Sequence, residues 1–186
     1  MYIMVEGTIQ STLTLAILGL ISQRPMTGYD LRKVFTTTPM WYFSNSPGAI
    51  YPALQRFENS GLIKGIVEGQ DTLRPKRVYT LTEDGRQVLE QRLEQPITQD
   101  DVIRRRDDLV LRFTFMGNIL GREKTLSYLK ELLIQLENYI PSLQEHLDTE
   151  RLAESPYDAF SIEYSIEMYQ VYTRWAKHAI DQLEGN

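Results

Sequence analysis

Apolar residues in this chain recur first at helical spacing, then at strand spacing, then at helical spacing again. Leu13, Ile17 and Leu20 step by 4 and 3 behind Ser11, a candidate N-cap, and Gln23-Arg24-Pro25 closes that first helix. Thr27 precedes GYDLRKVF, in which Tyr29, Leu31, Val34 and Phe35 form an apolar stripe. Asp30 stands where a capping box would place Glu or Gln. Residues 36–45 form a connection longer than a bare helix-turn-helix turn. Ser46 and Pro47 then mark a helix start, Ile50, Leu54 and Phe57 its core face, and Gly61 the position after its last turn. Pro52 predicts a tightened or kinked first turn in that helix.

Two short β-patterned segments follow, Leu62 to Glu68 and Lys76 to Leu81, joined through the turn signal Gly69-Gln70-Asp71. Thr82 caps a helix through Arg92, and the Pro-containing stretch 93–101 reads as a linker. Beyond it the pattern is helical: Val102 to Met116, then Arg122 to Leu147 with a kink expected at Pro141, then Pro156 to Leu183. In the last helix Ile162, Ile166, Tyr169, Thr173, Ala176, Ile180 and Leu183 step by 4, 3, 4, 3, 4, 3, a seam of nearly four heptads. A seam of that length predicts association with a second copy, with Ile162, Ile166, Tyr169, Ile180 and Leu183 at the interface. The expected fold is mainly α with a small β-hairpin. An N-terminal winged helix-turn-helix (1–92) and a linker (93–101) precede a helical dimerisation domain (102–186).

Composition adds one asymmetry. The 186 residues carry a net charge of −5, which alone argues against nucleic-acid binding. Residues 1–92 hold 10 Lys and Arg against 8 Asp and Glu, a net +2, whereas 93–186 hold 10 against 17, a net −7. The half with the helix and hairpin is therefore the mildly basic one. With no cysteine, disulfide and thiolate chemistry are excluded, and a cytoplasmic setting is expected. The N-terminus has no basic n-region of the signal-peptide kind, and the longest apolar run, Leu13 to Ile21, is too short to span a bilayer.

A helix followed by a β-hairpin wing is a known way to present side chains to DNA. The small residues Gly48 and Ala49, behind Ser46, let backbone approach a groove wall. Tyr51, Gln55 and Arg56 lie off the core face, and Gln and Arg suit bidentate contacts to adenine and guanine. Arg74, Lys76 and Arg77 flank Pro75 on the wing, where cations can hold phosphate. The competing reading of both sets is a solvated polar surface. Catalytic readings have less behind them: His146 and His178 sit on separate helices without ligand spacing, and no phosphate-binding Gly-rich loop or nucleophile elbow occurs. No catalytic residue, metal ligand or cofactor is expected. The Arg104-Arg105-Arg106 run is expected to pair with the nearby carboxylates Asp100, Asp101, Asp107 and Asp108.

The series TGYDL at 27–31, Trp41, SPGAIYPAL at 46–54, GLI at 61–63 and RVYTLTEDG at 77–85 closely resembles the PadR family of bacterial transcriptional regulators. DDLVLRFTFMG at 107–117 and the helices after it are similar to the longer subfamily, whose helical C-terminal domain is related to virulence-activator C-termini. Phe57 stands where an aliphatic residue is expected, a difference of packing. The resemblance implies a homodimeric regulator, usually a repressor, with two winged helices on a palindromic DNA operator. By position it puts Tyr51 on the recognition helix, and Lys76 and Arg77 on the wing. It also makes a small aromatic effector plausible. A second stripe on the last helix, including Tyr164, Met168, Tyr172 and Trp175, is either an aromatic pocket for such an effector or part of a core or dimer interface. Two other classes stay open: a winged-helix protein-interaction module, and an aromatic-ligand sensor without DNA binding.

Overall fold

Ser11 caps α1 (Thr12–Gln23), its hydroxyl accepting from the Thr14 N–H at 3.2 Å. The computed structural model describes residues 11–40, 47–69, 75–150 and 156–185. Trp41, Ser46, the Gln70-Asp71 turn and Arg74 lie outside the described residues. Residues Thr14 through Ile21 of α1 are all buried, so the helix is enclosed around its circumference. The expected stripe captures only part of that surface, as follows for a helix that is apolar all round. Its neighbours include the ring of Phe115, which a Cβ on Gly19 would overlap.

A two-residue strand, β1 (Met26–Thr27), leads into α2 (Gly28–Thr37). The capping box is complete with Asp in the third position. The Asp30 carboxylate accepts from the Thr27 N–H at 2.9 Å, and the Asp30 N–H donates to the Thr27 hydroxyl at 3.1 Å. A 3₁₀ turn (Pro47–Ala49) then enters α3 (Ile50–Asn59). The tightened first turn is thus a separate 3₁₀ element, and Pro52 falls in the first turn of the α-helix, where its missing N–H has no intrahelical acceptor. Gly61, at φ 76, ends α3: its N–H donates to the Glu58 carbonyl at 3.1 Å and the Leu62 N–H to the Phe57 carbonyl at 2.9 Å.

β2 (Ile63–Glu68) and β3 (Lys76–Leu81) form the wing, in register from Ile63 opposite Leu81 to Glu68 opposite Lys76. β1 pairs with the other edge of β3, Met26 opposite Tyr79, giving an antiparallel sheet of order β1-β3-β2. The expected two-strand hairpin is therefore part of a three-stranded sheet. Two residues are too few to leave a period in the sequence. Thr82 caps α4 (Glu83–Leu93), accepting from the Gly85 N–H at 3.0 Å.

The chain divides into two compact units, Met1–Gln95 with Val110–Ile119, and Pro96–Leu109 with Leu120–Asn186. The boundary between Gln95 and Pro96 falls inside the expected 93–101 linker, and the difference from the expected domains is segment 110–119, which lies in the first unit. Leu93 and Ile97 are buried, the Ile97 N–H donates to the Glu131 carboxylate at 3.1 Å, and Thr98 starts a second capping box with Asp101 at the head of α5 (Gln99–Arg104). Segment 110–119 belongs to the first unit. There Leu111, Phe115 and Met116 are buried, and the fully buried Arg112 guanidinium donates to the Leu93 carbonyl at 2.8 Å and to the Gln95 carbonyl. One side chain thus satisfies carbonyls at and beyond the end of α4.

The helix α6 (Arg106–Glu150), which carries segment 110–119 of the first unit and otherwise belongs to the second, is interrupted by Gly121 at φ 82, ψ 174. The backbone passes Pro141 with helical dihedrals, so the break falls at the glycine and not at the proline. The expected helix from Val102 to Met116 is likewise divided, α5 ending at Arg104 and α6 starting at Arg106. In α7 (Pro156–Glu184), Ile166, Tyr169, Ala176 and Ile180 are buried. Ile166 clusters with Leu147 and Ala159, with Leu143 and Ile162 packed against them. The Tyr169 hydroxyl donates to the Val102 carbonyl at 3.2 Å, and its ring meets Tyr139 edge-on at 5.0 Å. No helix among the described residues is long and apolar enough to cross a membrane.

Candidate nucleic-acid interface

The α3 helix has two sharply different faces. Ile50, Ala53, Leu54 and Phe57 are buried, each 1% exposed or less, while Tyr51, Pro52, Gln55, Arg56 and Asn59 are exposed. The exposed set recurs at steps of 4 and 3, so it occupies one face. Burial of the first set fixes the helix against the unit and leaves the second to solvent. Gly48 is exposed in the 3₁₀ turn that leads in. Tyr51 is partly seated: its ring lies so close to Gly28 that a Cβ there would come within 2.7 Å of Cε1. The start of α2 also carries Tyr29, 70% exposed.

The two described wing cations are placed differently. Lys76 is exposed and lies 3.7 Å from Glu68 across the strand pair, a loose surface contact that a competing anion can replace. Arg77 is committed to Glu58 of α3. Its Nε donates to Glu58 Oε2 at 3.2 Å and its Nη2 to Oε1, and the same carboxylate accepts from the Gly65 N–H at 3.1 Å. Hydrogen bonding by Arg77 holds the Glu58 carboxyl below its ordinary value, and the pairing raises that of Arg77. Burial pushes the neighbouring Tyr79 phenol up. Arg77 is therefore ion-paired to α3 and is not the unpaired cation that its place on the wing predicts. Lys64, exposed on β2, supplies a cation that the sequence pattern does not single out.

The other expected sites separate as well. The heptad seam finds its partners within the chain: Ile166, Tyr169 and Ile180 are buried, while Ile162 and Leu183 are half-buried. The outward face of α7 carries Tyr157, Phe160, Tyr164 and Val171, 75%, 59%, 67% and 53% exposed. Tyr164 lines a groove of about 510 Å³ with Phe160, Leu147, Ile166, Glu163 and Glu167. Met168, Tyr172 and Trp175 are half-buried and are not among its lining residues, so the four effector candidates do not converge there. Arg104 pairs with Asp100 at 2.8 Å and Arg105 approaches Asp101 at 4.0 Å, as expected, but Arg106 stacks over the Tyr169 ring at 4.9 Å.

Glu58 and Gly65 are the interface residues that sequence reasoning missed. An isolated Gly inside a strand pattern is a signal of close approach, and here a Cβ on Gly65 would overlap the Arg77 and Glu58 side chains.

The sequence pattern of the "Transcriptional regulator PadR-like family" matches residues 17–91. The negative transcriptional regulator PadR of Bacillus subtilis (strain 168) is 30% identical over 131 residues, 69% of each chain. Among solved structures, Bacillus subtilis PadR in complex with operator DNA is similar at 22% identity and a TM-score of 0.43, covering 92% of this chain and 98% of that one. The PadR-like transcriptional regulator BC1756 from Bacillus cereus is 28% identical with a TM-score of 0.40, over 92% and 98%.

Proposed function

The chain belongs to the PadR-like family of transcriptional regulators, which are not enzymes, and from that premise we propose that it binds a palindromic operator as a homodimer and represses. The observation that carries the reading is the single exposed face of α3, where Tyr51, Gln55 and Arg56 stand together above a fully buried core face. Gln55 and Arg56 read base edges in the major groove, and Gly48 lets the helix start approach the backbone. Lys76 and Lys64 hold phosphate, and Arg74, close to Lys76 in sequence, is assigned the same role. The role of repressor is supported by the relative named as a negative regulator.

The homodimer is supported by the outward stripe of α7. Four large apolar side chains more than half exposed on one helix mark a protein-interaction surface. This stripe replaces the inner seam as the dimer face, since the inner seam is satisfied within the chain. Two recognition helices in the dimer would sit about 34 Å apart, or a multiple of it, to meet successive major-groove half-sites. A small aromatic effector would shift the balance between two dimer states only by binding them unequally.

Fluorescence anisotropy with the DNA upstream of its own gene, against an unrelated duplex of equal length, tests the reading. Preferential, salt-sensitive binding to the upstream duplex is expected. Equal binding to both, or none at low ionic strength, would remove sequence-specific regulation and favour a protein-interaction module.

A further inference from the structure

We propose that Glu58 and Arg77 are positioning residues that lock the wing to the recognition helix, so that Arg77 serves DNA binding without touching DNA. The inference rests on the DNA-binding reading and deepens it. A helix and a wing grip one duplex only if their relative placement is fixed before binding. The two are separate elements, and β2 is an edge strand whose outward N–H groups lack strand partners. The Glu58 carboxylate meets that need at two points. It accepts the outward Gly65 N–H of β2 and takes the Arg77 guanidinium from β3 in a two-point contact. It leaves α3 one turn beyond Leu54, on the rim between the buried and exposed faces.

Gly65 completes the device by its missing side chain. Any Cβ there would collide with both partners, and it would also come within 3.1 Å of the Tyr79 ring. The planar fork of Arg lies across this gap, a fit that the point charge of Lys does not reproduce. The charge arithmetic agrees. A guanidinium engaged at two points by a carboxylate offers little net positive field to a phosphate, whereas exposed Lys64 and Lys76 do.

The sign of one variant separates the two roles. If Arg77 held phosphate, Glu58→Ala would free it, adding positive charge, tightening binding and steepening the salt dependence. If Arg77 positions the wing, Glu58→Ala weakens binding, by about tenfold. Anisotropy titrations across a salt series on Glu58→Ala, Arg77→Ala, Arg77→Lys and Lys76→Ala read this out, with melting curves as a folding check. Expected are similar losses in the three clamp variants with the slope of log K against log[salt] unchanged, and a slope smaller by about 0.9 for Lys76→Ala alone. Tighter binding by Glu58→Ala, a slope reduced by about 0.9 in Arg77→Ala, or wild-type behaviour of Arg77→Lys would overturn the proposal. The clamp is also read without DNA. Hydrogen exchange at the Gly65 amide should accelerate in Glu58→Ala, and an unchanged rate would overturn it even if the wild-type protein binds no operator.

Discussion

Arg112 is the largest fully buried side chain among the described residues, and its guanidinium serves the Leu93 and Gln95 carbonyls. Replacing it with Met keeps much of the volume and removes both donors. Leaving two carbonyls without them at about 1–3 kcal/mol each predicts a stability loss of about 2 kcal/mol or more, read as a lower urea midpoint. Residue roles of this kind were the least legible part of the sequence. Arg77 reads as a wing cation because its local string, RPKRV, is basic. Its partner Glu58 lies 19 positions earlier on another element, and no local pattern encodes that distance. Arg112 likewise sits inside the apolar string LVLRFTFM, and no local pattern there names the Leu93 and Gln95 carbonyls as its partners.

The elements were legible where local chemistry decides them. Ser11, Thr27 and Thr82 cap the helices the pattern assigns to them, and Gly61 ends α3 with the left-handed turn its place implies. Missed were β1, two residues long, α5, hidden in a Pro-containing stretch, and the break at Gly121, which shares its helix with the more conspicuous Pro141. None of the three leaves an apolar period: β1 is set by its pairing with β3, the start of α5 by the Thr98–Asp101 capping box, and the break by a glycine at positive φ. The α2 cap carries a prediction at this scale. Hydrogen bonds from the Thr27 side chain and backbone hold Asp30 below its ordinary value, as Arg77 does Glu58. A depressed folded pKa stabilises the fold above the ordinary values, 3.8 for Asp30 and 4.5 for Glu58, and that contribution is lost as pH falls through the lower folded values. Denaturant midpoints between pH 7 and pH 3 should therefore fall less steeply in Asp30→Asn and Glu58→Gln than in wild type. An identical pH dependence would contradict both assignments. Thr27→Ala should cost about 1 kcal/mol at neutral pH by the same route.

At the scale of the whole molecule, the sequence shows a charge split between a mildly basic N-terminal half and an acidic C-terminal half. Which face of α7 is available it does not show, because heptad spacing marks a buried seam without saying whose residues bury it. The exposed stripe should carry the dimer: Phe160→Asp with Tyr164→Asp is expected to shift sedimentation from dimer to monomer and to weaken operator binding. A dimer untouched by both substitutions would place the contact elsewhere. The central claim is that the exposed face of α3 reads bases, and the ratio of affinities for upstream and unrelated DNA tests it most directly. In Gln55→Ala and Arg56→Ala this ratio should fall by about 1–3 kcal/mol of discrimination for each lost bidentate contact, with binding to unrelated DNA nearly preserved. A ratio unchanged in both variants, or an equal loss on both duplexes, would contradict it.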